Sequence, residues 1–77
     1  DRLAVTEDEI YIIDYKTNRP PPQSAENIPM IYQRQMAAYR AVLNNVYPEH
    51  HVRSFLLWTD IGRLMEIPEA QLNKIEF

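Results

Sequence analysis

The chain is 77 residues long, carries a formal charge of −3, and contains no cysteine and a single glycine. A length of this order makes one small domain at most, burying only about 60% of its unfolded surface. Without cysteine there is no disulfide framework, zinc knuckle or iron–sulfur cluster; one glycine does not make a phosphate-cradling loop for ATP; and the acidic balance argues against a basic nucleic-acid-binding face. The apolar fraction of 45% excludes disorder throughout. No apolar run approaches the roughly 20 residues of a membrane span, and no charged-then-apolar leader is visible. The expected setting is the cytoplasm, with no membrane partner. The abrupt start on Asp1, with no cap or lead-in, reads as a fragment of something larger.

Asp1 to Thr6 alternates Leu3 and Val5 against Arg2 and Ala4, which predicts a short strand. Thr6-Glu7-Asp8-Glu9 suits a tight turn, and Glu9 to Lys16 is then a second strand folding back as a hairpin. Thr17 to Pro29 is a loop, because Pro20-Pro21-Pro22 cannot enter a sheet interior. Ser24 or Asn27 is placed to cap a helix from Pro29 to Val46, with Pro29 in its first turn. Ile28, Tyr32, Met36, Tyr39, Leu43 and Val46 recur at helical spacing and predict one apolar stripe, leaving Gln33, Arg34, Arg40 and Asn44 opposite. Tyr47-Pro48 ends the helix, and His50 and His51 read as a solvated loop pair. Val52 to Thr59 is almost continuously apolar, as expected of a strand covered on both faces. Asp60-Ile61-Gly62 is a turn, Leu64 to Ile67 a return strand, and Pro68 opens a last helix from Glu69 to about Ile75. The order β-β-α-β-β-α makes an α/β chain of the mixed-sheet, α+β kind. Its second and third strands are parallel across a helical crossover, and the remaining pairs are antiparallel.

The second strand carries the chemistry. Ile10-Tyr11-Ile12-Ile13 is a buried-strand run, yet it leads into Asp14-Tyr15-Lys16. Strand side chains alternate, so Asp14 and Lys16 share a face and Tyr15 takes the other. An Asp-x-Lys at a strand end is commonly a surface ion pair worth under about 1 kcal/mol. Burying the pair instead is costly unless the charges are matched or bind a metal, which makes it a candidate site. The hairpin brings Asp1 beside Asp14. Gln35, three residues from Tyr32 and four from Tyr39, interrupts the apolar stripe. It is either a core glutamine satisfied by a carbonyl or the mark of a helix face that looks at a polar site.

Asp1, Asp14-x-Lys16 and Gln35-x-x-x-Tyr39, in that order, resemble the PD-(D/E)XK nuclease superfamily with its restriction-endonuclease-like core, and within it the RecB-type nuclease domain. Asp1-Arg2-Leu3 and Ile12 to Arg19 are similar to the C-terminal nuclease of the AddA-type helicase–nucleases, which process double-strand DNA breaks for recombinational repair. The resemblance implies a fragment, residues 1–77, of a single nuclease domain whose upstream helix and strand are missing. It implies Asp1, Asp14 and the Tyr15 carbonyl as ligands of Mg²⁺, with Mn²⁺ as substitute. Lys16 would act at the scissile phosphate or attacking water, with Gln35 and Tyr39 holding the site and the DNA backbone. It further implies DNA exonuclease activity in a larger parent that binds ATP elsewhere, beside an AddB-type partner subunit. The glycine and apolar residue usual before the aspartate are absent here, so Asp1 is assigned by the residues after it.

Two other readings stand beside this one: an inactive nuclease-like module serving as an interaction platform, and an unrelated α/β fragment in which Asp14 and Lys16 merely pair. The chain on its own is expected to have little activity and to self-associate through an uncovered sheet edge.

Overall fold

The period-two and period-3.6 runs of the sequence become, in the computed structural model, a sheet with one helix laid across it. Residues 2–17 and 20–75 are described. Among them, β1 (Arg2–Val5), β2 (Glu9–Lys16), β3 (His51–Trp58) and β4 (Arg63–Ile67) form one sheet in the order β1-β2-β3-β4. The pairs β1–β2 and β3–β4 are antiparallel and β2–β3 is parallel, the arrangement expected from the crossover. Helix α1 (Met30–Val46) makes that crossover, and a short α2 (Glu69–Asn73) follows β4. No helix among the described residues is long and apolar enough to cross a membrane.

Register decides which side chains meet. Ile10 lies opposite Val52, Ile12 opposite Ser54, Asp14 opposite Leu56 and Lys16 opposite Trp58. These residues share the face that α1 and α2 cover, where Ile10, Ile12, Val52, Leu56, Trp58, Met65 and Ile67 pack with Ile28, Met36, Ala37 and Leu72. Burial of this apolar surface is the main favourable term for so small a fold. Ser54 Oγ and Trp58 Nε1 are buried there with no hydrogen-bond partner among the described residues.

The turns follow their chemistry. Thr6 receives the Glu9 amide on its hydroxyl at 2.9 Å, while its own amide donates to the Glu9 carbonyl at 2.8 Å, closing the first hairpin. Gly62 sits at φ +62°, where a side chain would be strained.

Several expectations need correction. Strand β3 is not covered on both faces: it alternates buried and half-buried residues, because the helices lie on one side and leave Arg53, Phe55 and Leu57 on the open side. The predicted helix stripe is rotated. Gln33, expected on the solvent side, is buried with Met36 and Ala37, whereas Tyr39 is 38% and Val46 62% exposed. Gln33 is tolerated because its side-chain amide donates to the Ile28 carbonyl at 2.7 Å, so a buried polar group is matched and the approach to the helix is fixed. The loop before α1 also contains a 3₁₀ turn, Ala25–Asn27, that periodicity did not indicate, and Pro29 itself is the helix cap, with no capping side-chain bond from Ser24 or Asn27. His51, expected with His50 as a solvated loop pair, is solvated but opens β3, between Glu9 and Glu69, while His50 Nε2 lies 3.0 Å from the Thr6 carbonyl. Between β1 and α1, Leu3 and Val42 remain exposed around an apolar groove of about 320 Å³, and Val5 is exposed further along β1.

On the open face, Arg53 makes a two-pronged bond to Glu66, at 3.0 and 2.8 Å, while lying over the rings of Tyr11 and Phe55. Hydrogen bonding from Arg53 lowers the Glu66 carboxyl below its ordinary value of 4.5, and the Tyr11 hydroxyl does the same for Glu9. A carboxyl lowered in the folded state contributes stability that is fully present above the unfolded value and lost as pH falls through the folded one. Urea midpoints of the wild type should therefore fall below about pH 4.5, and Glu66→Gln should flatten that fall; an unchanged slope would disprove the assignment. Gln33→Ala strands the Ile28 carbonyl, with an expected loss of about 1–3 kcal/mol in urea unfolding.

Candidate active site

The site grows from the last three residues of β2. Asp14 is buried, 4% exposed, at the point where an apolar strand emerges from the core. Two residues on and on the same face, Lys16 places Nζ 2.8 Å from Asp14 Oδ2. The lysine side chain is also largely covered, at 15% exposure, so the pair is held away from bulk water rather than frayed on the surface. Tyr15 points to the other face and is exposed.

Helix α1 supplies the second wall. Lys16 Nζ donates to Gln35 Oε1 at 3.3 Å, and Gln35 Nε2 donates to the Tyr39 hydroxyl at 3.2 Å. An ammonium has only donors, so the glutamine must turn its oxygen to Lys16, and its amide nitrogen is left for Tyr39. Asp14, Lys16, Gln35 and Tyr39 thus form one continuous polar chain from strand to helix. Gln35 does face the strand end, as its place in the helix stripe suggested, while Tyr39 stands at the solvent rim.

Two further residues complete the geometry and were not singled out as site residues from the sequence. Tyr32, taken only as part of the apolar stripe, puts its ring 4.2 Å from Lys16 Nζ. Its position one turn before Gln35 was the available signal. Thr59 fixes the strand end: its amide and its hydroxyl both donate to the Lys16 carbonyl, at 2.9 and 3.2 Å. Strand carbonyls alternate sides, so the Tyr15 carbonyl turns away from β3, toward the edge where β1 lies. The described register of β1 stops with Arg2 opposite Ile13. Asp1, the other expected ligand, lies outside the described residues.

Among the described residues no group of three or more His, Cys, Asp or Glu is placed to hold a metal ion. The donors present still suit a hard divalent cation that keeps much of its water: one buried carboxylate, Asp14, and one outward main-chain carbonyl, Tyr15. The ion pair itself has a testable energetic signature. Lys16→Met leaves the Asp14 carboxylate buried and unmatched, with an expected cost of about 3–5 kcal/mol, whereas the double variant Asp14→Leu/Lys16→Met should recover most of it. Additive losses in urea unfolding would show that the two charges do not depend on each other.

A family model of the PD-(D/E)XK nuclease superfamily matches residues 1–74. No curated protein and no solved structure matches the chain. The four-stranded mixed sheet with its crossover helix is consistent with a partial fold of that superfamily. Its members are typically phosphodiester-cleaving nucleases, generally dependent on divalent metals and with DNA as substrate. With sheet, strand-end Asp-x-Lys and family match in agreement over nearly its whole length, the chain belongs to the PD-(D/E)XK nuclease superfamily.

Proposed function

We propose that this chain forms part of the DNA-cleaving centre of an AddA-type helicase–nuclease, a RecB-type Mg²⁺-dependent exonuclease that processes double-strand breaks beside an AddB-type subunit. The observation that carries the reading is the buried Asp14–Lys16 pair at the end of β2, backed by Gln35 from α1. A structural ion pair has little reason to sit where an apolar strand ends and a second polar layer has been built to hold its lysine. The AddA-type assignment rests on the likeness of Asp1-Arg2-Leu3 and Ile12–Arg19 to that nuclease, and residues 1–77 are proposed as a piece of one such domain.

Each residue has a separable task. Asp14 and the Tyr15 carbonyl, with Asp1, would hold the metal ion; bound there, Mg²⁺ or Mn²⁺ lowers the pKa of a coordinated water and offsets charge on the phosphate. Lys16 keeps a positive charge at a fixed point beside that ligand set, where the attacked phosphate becomes more negative. Gln35 accepts a second hydrogen bond from the Lys16 amine at 3.3 Å, and so orients the ammonium that Asp14 holds at 2.8 Å. Tyr39 is partly exposed and accepts from Gln35, which leaves its own hydroxyl proton for the role proposed for it, a bond to the DNA backbone. Because Lys16 is fixed before substrate arrives, little reorganisation accompanies the reaction.

In the full-length protein, Asp14→Ala should lower DNA cleavage by at least about 10²–10³-fold while leaving ATP hydrolysis near wild type. Lys16→Ala should give a comparable loss with Mn²⁺ affinity largely kept, since lysine is not a ligand. The measurement pairs strand cleavage with ATP turnover for each variant. Near-normal degradation of DNA by the Asp14→Ala protein would end the nuclease assignment for this strand.

A further inference from the structure

The nuclease reading uses Asp14, Lys16, Gln35 and Tyr39 but leaves the underside of the lysine unassigned. That side is aromatic. Lys16 Nζ lies 4.2 Å from the centroid of the Tyr32 ring, well inside the roughly 6 Å at which a ring face attracts an ammonium. Tyr32 rests in turn against Trp58, ring centroids 6.5 Å apart and tilted by 50°. Trp58 is the only tryptophan of the chain, is 1% exposed, and stands directly opposite Lys16 in the β2–β3 register. Core tryptophan, tyrosine and ammonium are therefore in contact one after another, ending at the site.

We propose that Tyr32 is a positioning residue, whose ring face holds the Lys16 ammonium at the height from which it meets the scissile phosphate. The proposal rests on the nuclease reading for the role of Lys16, but the contact itself does not. Three directions fix the amine: Asp14 Oδ2 at 2.8 Å, Gln35 Oε1 at 3.3 Å and the ring face at 4.2 Å. The first two draw the charge toward oxygen. The third is apolar in bulk, attracts the cation through the ring quadrupole, and supplies no competing acceptor at its face. A lysine four carbons long has several rotamers that satisfy Asp14 alone. The ring selects among them. Trp58 keeps the ring from tipping, because an interior aromatic packed into the core has no space into which to withdraw. The ring face therefore matters most when the phosphate carries its greatest charge, which places its effect in kcat rather than in substrate affinity.

The test replaces Tyr32 in the full-length protein by Phe, by mono-, di- and trifluorinated phenylalanine, and by Leu. Fluorination drains the ring face stepwise at nearly constant shape. The expected result is that kcat, taken relative to Tyr32→Phe, falls along the fluorinated series. The loss should reach roughly 5- to 30-fold by trifluorophenylalanine and Tyr32→Leu, with KM within about twofold throughout. A kcat indifferent to fluorination overturns the positioning role, even if Tyr32→Leu is impaired, since packing alone would then account for the leucine variant.

A second arm needs no activity. The ε-methylene protons of Lys16, assigned by their disappearance in a Lys16→Arg sample, should resonate upfield of those of Lys74 through the ring current. They should stay there in Tyr32→Phe and move to the Lys74 position in Tyr32→Leu. Coincidence of the Lys16 and Lys74 signals in the wild type overturns the contact. A wild-type protein that shows the upfield signal but cleaves no DNA defeats the nuclease reading and leaves the aromatic contact standing.

Discussion

A carboxylate and an ammonium held out of water at the end of an apolar strand set the terms for the rest of this molecule. Either charge alone would be strongly disfavoured there, and even the matched pair gains little net stability once both have been desolvated. The surroundings answer that constraint. Gln35 and Tyr32 supply the lysine with an oxygen and a ring face, and Thr59 pins the strand end beneath it.

The open face of the sheet uses the same kinds of group to a different end. Arg53 and Glu66 are bonded in two places, where Asp14 and Lys16 make a single contact, but across partly exposed strands and over aromatic rings that only shelter them. Exposed pairs of this sort contribute modestly and respond to salt and acid. The two pairs lie on opposite faces of the same four strands. What separates them is burial, and burial is what turns a charge pair into a candidate for chemistry.

Much of this was legible from the residues. The parallel crossover followed from a period-two run, a period-3.6 run and a second apolar strand in that order, and Asp14, Lys16 and Gln35 came together because strand alternation and helix spacing are rigid rules. The helix rotation was not legible. Hydrophobic counting placed Tyr39 and Val46 inside and Gln33 outside, yet the glutamine is admitted by a single carbonyl, that of Ile28, whose position depends on how the preceding loop folds. Likewise Tyr32 reads as core by composition, and only the three-dimensional placement of Lys16 reveals that one face of its ring meets a charge. The β3 strand misled for a related reason: Phe55 and Leu57 are apolar, but no described helix lies over them.

The parallel pairing of β2 with β3 has a consequence in time as well as in space. Glu9 lies opposite His51, a separation of 42 residues, and every later pair in that register is as distant. The two hairpins and α1 are local and close on the microsecond scale, whereas joining the parallel strands requires the whole intervening segment to be looped first. Both bonds that anchor the Lys16 carbonyl come from Thr59, just beyond the far strand. A nascent chain therefore carries Asp14 and Lys16 as hydrated side chains until its C-terminal half has emerged and docked. The two charges lose their water in the same event that completes the sheet.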